Sequence, residues 1–416
     1  MADPPPVFIL PPELTATIFA HCLQSSRRWP SPHDAPLLLA QIYHEWREIC
    51  LDTPDLWTSI ALGEIGSVHL LEQWISRAKN RPLSIVLETR GDIRAGELME
   101  TVLPHCSRWE DVCFLLRPSS YHQLSMSHHP FPILRRIALS GDSIDDEEGL
   151  ILIRNAPLLR EVRLDSPTYA KVDLPWDQLT SMNVRSFPNA AQTLAALRRC
   201  PDMRHFHCLW TSGQPPFAIT PLILHSLRSL SIRDMSVLPF LMLPRLERLE
   251  IGNILDGAFP DVLQSLVSRS SCALKFLGVV NRPNTLPPSA FESLFQAASS
   301  ITSLQLHFLY PSGFRQHIAV LAAADVLPRL ERLEIRDSAG GDYYGPLLRV
   351  LRSRRTVAVE LSLGTRAFGS AAQGQGRVPP EDIMAKFRPL AEAGLKLRIE
   401  TREQGGPRVI FDSFKT

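Results

Sequence analysis

A short pattern of apolar residues, L-x-x-L-x-I, returns along most of the chain. The nine residues LPRLERLEI occur at 243–251 and again, letter for letter, at 327–335. Copies with the same apolar spacing occur at 109–114, 133–139, 158–164, 178–184, 202–208, 226–232, 272–279 and 300–306. Alternating apolar and polar positions predict a short strand with one buried face. We therefore expect a strand at each copy, with the apolar positions turned inward.

The spacing of the copies identifies a repeat. Their first apolar residues lie at 109, 134, 159, 179, 203, 227, 246, 274, 301 and 330, so neighbouring copies are 19 to 29 residues apart. Leucine-rich repeats are about 20 to 29 residues long, and the chain resembles them. Stacked repeats of this class place strands on a concave face and helices outside. We expect an α/β fold in which residues 108–363 form a curved solenoid of short parallel strands and outer helices.

Helical patterns fill several stretches between the copies. The segment 189–200 begins with Asn189, a favourable N-cap, and ends before a proline. The segment 289–298 carries the capping-box pattern S-x-x-E. The segment 261–269 has its apolar residues on one helical stripe. Each repeat is therefore predicted to be a strand followed by a helix.

The repeats depart from the full leucine-rich signature, which continues to an Asn or Cys. Four copies have other residues at that position, namely Asp142, Pro167, Ile254 and Ser338. This departure resembles the irregular repeats of fungal proteins more than a regular horseshoe. After the last repeat, residues 364–380 are rich in Gly, Ala and Ser and predict a flexible loop. Residues 381–416 are interpreted as a C-terminal cap, with a helix at 380–394 and a strand at 395–401.

The N-terminal region has a different pattern. Residues 8–23 read FILPPELTATIFAHCL, a stiff entry followed by apolar residues at helical spacing. We expect the apolar positions to form one stripe, which consists of Leu14, Ile18, Phe19 and Cys22. A helical module of about fifty residues buries little surface by itself, so part of this stripe is expected to remain exposed.

These residues, with those of 36–60, resemble an F-box. The motif pieces are Leu10-Pro11-Pro12-Glu13, Trp46-Arg47 and the turn T-P-D-L-W at 53–57. The whole chain resembles F-box proteins with irregular leucine-rich repeats, a type abundant in basidiomycete fungi. The resemblance implies a disordered segment at 1–6, an F-box at 7–60 and connecting or first solenoid units at 61–107.

In that family the F-box binds a Skp adaptor, which connects it to a cullin and a ubiquitin ligase. The resemblance implies that the adaptor-binding residues here are Leu10, Pro11, Glu13, Leu14, Ile18, Phe19, Trp46 and Trp57. It places Trp57 either at the far edge of the contact or in the core of the domain. Tyr43 stands where the family often has a small cysteine, which predicts weaker adaptor binding. The alternative is a two-helix cap whose apolar stripe belongs to the solenoid core.

Composition narrows the classes of function. The 416 residues are 44% hydrophobic with a net charge of +1, so no global field favours nucleic acid or an anionic membrane. We expect no signal peptide, no membrane-spanning helix and neither a nucleic acid nor a membrane as partner. The seven cysteines are scattered without a C-x-x-C pair, which predicts reduced thiols in the cytoplasm or nucleus.

The histidines, cysteines, acidic residues and glycines of the sequence do not form a recognisable catalytic, metal-binding or phosphate-binding motif. The clusters His105, Cys106, Cys113, His122 and His205, His207, Cys208 lack zinc-site spacing. The acidic stretch 141–149 lacks the register of a calcium loop, and the glycines of 369–377 lack the G-K-[ST] of a phosphate loop. We expect no metal, no cofactor and no catalytic residue. An enzyme with an unrecognised site in the solenoid stays open.

The polar positions of the strands predict a target-binding face. The row between the last two apolar residues of each copy includes Arg163, His207, Glu250 and Glu334, and the next row includes Arg185, Arg233, His307 and Arg336. The first hypothesis is a non-catalytic substrate receptor of an SCF-type cullin-RING ubiquitin ligase, which binds a target of mixed charge. The second is a leucine-rich-repeat scaffold outside the ubiquitin pathway.

Overall fold

The structure is a computed structural model, and its described residues fall into fifteen ranges. These are 10–23, 29–64, 66–125, 130–140, 151–165, 172–211, 220–252, 259–281, 288–308, 314–323, 325–337, 343–354, 357–363, 379–403 and 406–413. The predicted disordered segment 1–6 lies outside them, as do nearly all of the predicted loop 364–380 and the four positions Asp142, Pro167, Ile254 and Ser338.

The chain divides into two compact units, Met1–Ser186 and Phe187–Thr416. The described helices of the first unit are α1 (Pro12–Cys22), α2 (Leu39–Ile42), α3 (His44–Asp52), α4 (Val68–Arg77), α5 (Asp92–Val102) and α6 (His122–Ser125). Its strands are β1 (Ser59–Leu62), β2 (Leu83–Glu88), β3 (Trp109–Leu115), β4 (Arg136–Ser140), β5 (Ile151–Leu152), β6 (Glu161–Leu164), β7 (Val172–Asp173) and β8 (Ser181–Phe187).

The second unit continues with α7 (Ala190–Arg198), α8 (Phe259–Ser270), α9 (Pro288–Ala297), α10 (Phe314–Val320), α11 (Tyr344–Ser353) and α12 (Glu381–Glu392). Its strands are β9 (His205–Thr211), β10 (Leu222–Ile223), β11 (Ser229–Ile232), β12 (Leu241–Met242), β13 (Arg248–Gly252), β14 (Phe276–Asn281), β15 (Ser303–Phe308), β16 (Arg332–Asp337), β17 (Ala358–Leu363), β18 (Leu397–Glu403) and β19 (Gly406–Asp412).

Parallel pairing dominates the sheet of each unit. In the first unit the strands pair in the order β1-β2-β3-β4-β6-β8, all parallel. In the second, β9-β11-β13-β14-β15-β16-β17-β18 pair in parallel, and β19 joins β18 antiparallel. A parallel partner requires the chain to return to the same end of the sheet, which the linking segments provide. The expected mixed α/β class with a large, mostly parallel sheet is confirmed.

The repeat pattern sets the register of these strands. The second apolar residues Leu249, Leu277 and Leu304 are aligned across β13, β14 and β15. The first apolar residue of every copy is at most 5% exposed. The two identical nonapeptides form equivalent strands, since β13 and β16 both begin at the arginine of R-L-E-I. The strand predictions and their buried faces are therefore confirmed.

A helix does not follow every strand among the described residues. The expected helices α7, α8, α9 and α12 form, and the side chain of Asn189 accepts a hydrogen bond from the Gln192 N–H (2.9 Å). The described linkers around β6 and β11 instead contain the short strand pairs β5–β7 and β10–β12, with 3-10 turns. The two linkers after β6 and β11 belong to the shortest repeats, of 20 and 19 residues, where fewer residues are available for a helix. The prediction of a helix in every repeat was therefore wrong.

The N-terminal helices and the first strands lie in the same unit. The predicted boundary at residue 60 falls inside β1, and the segment 61–107 contains α4, β2 and α5. Among the helices that the structure describes, none is long and apolar enough to cross a membrane.

Candidate docking surfaces

Helix α1 follows the stiff entry that its sequence predicts. Pro11 is the N-cap residue, Pro12 occupies the first turn, and the carbonyl of Pro11 accepts a hydrogen bond from the Leu14 N–H (3.1 Å). Proline suits this position because a first-turn residue has no intrahelical acceptor for an N–H. Glu13 is exposed in the same turn, where a negative charge favours the helix dipole.

Large apolar side chains on α1 and just before it are exposed to solvent. Leu10, Leu14 and Ile18 are 37%, 52% and 47% exposed. Leu14 and Ile18 are four residues apart, so they lie on one side of the helix. We call these three residues the α1 surface. An apolar side chain left in water gains free energy when a partner covers it, by about 25 cal/mol for each Å².

The expected single stripe on α1 is divided. Phe19 is buried and meets Trp46 edge to face, with ring centroids 5.0 Å apart. Cys22 is exposed. The stripe prediction was wrong because apolar spacing alone does not distinguish the side of a helix that packs inward from the side left open. Phe19 therefore stabilises the attachment of α1 to α3 and does not reach the surface.

Trp57 also lies in the interior. Its Nε1–H donates to the carbonyl of Cys50 (2.8 Å), and its ring meets Trp74 edge to face at 4.7 Å. The guanidinium of Arg77 lies 4.5 Å from the ring centroid. These contacts connect the end of α3 to α4. Trp57 thus anchors the helices and makes no direct surface of its own, as its burial to 1% exposure requires.

A second exposed apolar set, which sequence reasoning missed, lies around α2. Leu38, Ile42 and Tyr43 are 40%, 53% and 48% exposed, and we call them the α2 surface. The backbone of Tyr43 is extended and separates α2 from α3, while Arg47 Nε donates to the carbonyl of Ala40 (2.9 Å) across the break. Leu38 and Ile42 are four residues apart, and this helical spacing could have predicted that they share one side of α2.

The two expected target-binding residues of the first unit, Arg163 and Arg185, differ in whether their charge is paired. Arg163 holds Asp165 through two nitrogens, Nε at 3.0 Å and Nη2 at 2.9 Å. This pairing raises the pKa of Arg163. Arg185 is exposed near the end of β8. The first arginine is therefore partly neutralised, and the second presents its charge to solvent.

In the second unit the strand register brings the expected residues into rows. His207, Ser231 and Glu250 are aligned across β9, β11 and β13, and the row continues through Gly278 and Gln305 to Glu334. His307 is aligned with Arg336 in the next row. Gln305 is only 8% exposed, so the row is less open than its polar character predicts.

The carboxylates of this row already have partners on the same face. Glu334 accepts from Gln305 Nε2 (2.7 Å) and from Arg336 Nε (2.6 Å). Glu250 forms an ion pair with Arg248, and the hydroxyl of Ser231 donates to it (3.1 Å). The mixed charge expected from the sequence is thus largely paired within the face.

Neighbouring polar positions two residues earlier were missed. The guanidinium of Arg248 lies 3.5 Å from the ring centroid of Phe276, and Arg332 donates to Glu360 (2.6 Å). Because side chains alternate along a strand, Arg248 and Arg332 lie on the same face as Glu250 and Glu334. Counting two residues back from each glutamate, as well as two forward, would have predicted them.

Two glycines allow side chains of this face to approach the backbone closely. A Cβ at Gly278 would lie 2.9 Å from Glu250 Cγ. Arg233 similarly lies against Gly252, where a Cβ would come within 2.8 Å of Arg233 Cγ.

Within the described ranges no three His, Cys, Asp or Glu side chains meet as a metal site. All seven cysteines are described, and all are free thiols. No protein-family model matches the chain, and no curated protein matches it in sequence.

Proposed function

We propose that this protein is a substrate-receptor subunit of an SCF-type cullin-RING ubiquitin ligase. In this proposal the N-terminal helices are an F-box that binds a Skp adaptor, and the leucine-rich-repeat solenoid binds a target protein. The observation that carries it is the exposure of Leu10, Leu14 and Ile18 beside the L-P-x-E entry. Such a subunit accelerates ubiquitin transfer by proximity, without catalytic residues of its own.

Two features support the adaptor part of the proposal. The α1 surface offers aliphatic side chains that gain free energy on burial. Phe19, Trp46 and Trp57 fix the helices behind that surface, so little conformational freedom is lost on binding. Tyr43, which the resemblance places at a position that is often small, is 48% exposed on the α2 surface and would itself meet the adaptor.

The target part rests on the sheet face of the second unit. Its rows carry arginines, carboxylates and histidines, and hydrogen bonds among Gln305, Glu334 and Arg336 hold these three side chains in place, which suits recognition of a polar partner by geometry. Two acids of this face, Glu250 and Glu334, are paired with arginines of their own strands, so the target is proposed to meet a face of paired charges. The reduced thiols favour the cytoplasm or nucleus as the site of action.

The proposal is tested by co-expressing the full chain with a fungal Skp adaptor and measuring co-elution on size exclusion. We expect a one-to-one complex with the wild type and its loss in Leu10→Ala/Pro11→Ala. Ile93→Ala is the matched control, because Ile93 is 84% exposed on α5, outside both apolar surfaces. Absence of a complex with a folded wild type would remove the F-box interpretation and the ubiquitin function with it.

A second arm separates the scaffold alternative. If the adaptor complex recruits cullin and supports ubiquitin transfer to a captured partner, the ligase function holds. Adaptor binding without cullin would instead favour a scaffold outside the ubiquitin pathway. An intrinsic activity lost on one Asp or His substitution, with the fold intact, would favour the enzyme alternative.

A further inference from the structure

A cavity of about 670 Å³ lies in the first unit, beside the end of β1 and the first turn of α4. Its lining is mainly apolar and comes from Trp29, Pro30, Ala61, Leu62, Gly63 and Leu70. Ligand sites in proteins have volumes of about 300 to 1,000 Å³ and mainly apolar walls with a few polar groups. The size and the walls of this cavity therefore suit a small organic molecule.

The charged groups beside the cavity compensate one another. Glu64 and Glu88 stand at an edge that it shares with a second cavity of about 310 Å³. That second cavity is also lined by three arginines, Arg90, Arg117 and Arg185. One of them, Arg117, forms an ion pair with Asp92 at 3.5 Å. Among these described groups three arginines stand against three carboxylates, so the local charge favours neither a cation nor an anion.

The edge carboxylates do not offer a ligand a strong ionic partner. One oxygen of Glu64 accepts a hydrogen bond from the Thr89 hydroxyl (2.8 Å), and the other accepts from the Arg90 N–H. These bonds lower the pKa of Glu64, so its charge is stabilised by the turn after β2. Glu88 is exposed to solvent, where water and salt screen its charge.

An indole ring forms one wall of the cavity. Trp29 lies close to Gly63, where a Cβ would be 3.1 Å from the ring, so the absence of a side chain allows this approach. Trp29 is 47% exposed, which leaves part of its aromatic surface open to another group. Aromatic rings attract one another both offset-stacked and edge to face. An aromatic ligand therefore gains more from this wall than an aliphatic ligand of the same shape.

We propose that this cavity binds a small neutral aromatic molecule. Its ring system occupies the space between the Trp29 indole and the aliphatic side chains of Leu62 and Leu70. A charged group on the ligand would lose hydration against these apolar walls without gaining an unscreened partner. The site is separate from the α1 surface and does not depend on the function proposed above.

The test uses the full chain and four probes that share one bicyclic skeleton. They are neutral 2-naphthol, anionic 2-naphthoate, cationic 2-naphthylmethylammonium and the saturated alcohol decahydro-2-naphthol. Ligand-observed NMR titration measures the Kd of each probe. We expect saturable binding of 2-naphthol, with a Kd about fivefold or more below those of both charged probes and about two- to tenfold below that of the saturated alcohol.

Three results would overturn the proposal. The first is no saturable binding of 2-naphthol. The second is equal or tighter binding of either charged probe, which would show that the arginines and carboxylates do not compensate one another. The third is equal binding of the saturated alcohol, which would show that the Trp29 wall does not select an aromatic ring.

Variants test whether the ligand lies in this cavity. Leu70→Trp fills the space and should weaken 2-naphthol about tenfold or more through a steric clash. Ile93→Trp is the matched control, because it introduces the same side chain at an exposed position of α5 outside the cavity. Trp29→Leu keeps an apolar wall and should remove the preference for 2-naphthol over the saturated alcohol. Wild-type affinity in Leu70→Trp, or an unchanged preference in Trp29→Leu, would contradict the site.

Discussion

At the scale of single residues, the hydroxyl of one buried tyrosine connects two neighbouring strands. The Tyr121 hydroxyl is buried, donates toward the carbonyls of Phe114 and Ser140 at 2.7 Å, and accepts from the Leu116 N–H. Phe114 and Ser140 belong to β3 and β4, so one oxygen joins both strands. Burial raises the pKa of this phenol, which therefore stays protonated and able to donate.

Replacing Tyr121→Phe should lower the free energy of unfolding by about 1–3 kcal/mol, because the buried Phe114 carbonyl and the half-buried Ser140 carbonyl lose this donor. The measurement is urea unfolding followed by circular dichroism, with an unchanged m-value as the sign of an intact unfolding transition. A variant as stable as the wild type would show that these carbonyls do not depend on the hydroxyl.

Two cysteines of the N-terminal helices provide a second residue-scale prediction. Burial raises the pKa of Cys50 from 9.0 to about 11, whereas Cys22 is exposed on α1, four residues after Ile18. A raised thiol pKa favours the protonated form in the folded chain, so this contribution to stability is present below pH 9 and lost as the pH rises toward 11.

At pH 8 we expect Cys22 to react with iodoacetamide well before Cys50, because the thiolate is the nucleophile. Mass spectrometry of the labelled peptides measures both rates. Bound Skp adaptor should slow the labelling of Cys22. Faster labelling of Cys50 in the folded chain would contradict its burial.

At the scale of elements, arginines reach back from the end of one helix to carbonyls of the preceding repeat. Arg269, at the end of α8, donates to the carbonyl of Leu241 (2.8 Å). Arg354, just after α11, donates to the carbonyl of Leu327 (2.8 Å) and also to those of Ala323 and Val326. Carbonyls at turns have no strand partner, and a guanidinium can satisfy several of them together.

Arg354→Met should therefore lower the free energy of unfolding by about 1–3 kcal/mol, since half-buried carbonyls lose their donors. Arg352→Met is the matched control, because this exposed arginine lies only two residues away and should change stability by less than about 0.5 kcal/mol. Thermal unfolding of both variants gives the comparison. Equal loss in both would show that the helix end, and not the carbonyl contacts, determines the effect.

The start of α7 tests local capping in the same way. Asn189→Ala removes the acceptor for the Gln192 N–H, and we expect a loss of about 1 kcal/mol. Asn189→Ser should retain most of the stability, because serine is a comparable N-cap residue. Chemical unfolding of the two variants measures the difference, and equal stability of the alanine and serine variants would contradict the capping role.

Across the whole molecule, the sequence predicted the strands better than the surfaces. Apolar and polar residues alternate around Leu249, Leu277 and Leu304. This alternation predicted both the pairing register of the strands and their buried face, because a shift of one residue would expose every apolar side chain. It did not predict that Glu334 pairs with Arg336, since period two gives a side chain its face but not its partner. Nor could helical spacing decide whether Phe19 or Ile18 packs inward.

Exposed apolar side chains are distributed unevenly over the described residues. Of the eleven large ones, seven lie between residues 10 and 43. Such concentrations mark interaction sites more often than scattered apolar residues do. This uneven distribution supports the proposal that the N-terminal helices bind a partner.

The most direct measurement is the affinity of the full chain for a Skp adaptor, compared between Leu14→Glu/Ile18→Glu and Ile93→Glu. All three positions are exposed, so the charges should leave the fold intact, which circular dichroism checks. We expect the double variant to raise Kd about hundredfold or more and the Ile93 variant to bind like the wild type. Wild-type affinity in the double variant would contradict docking through the α1 surface, and so would an equal loss in both variants.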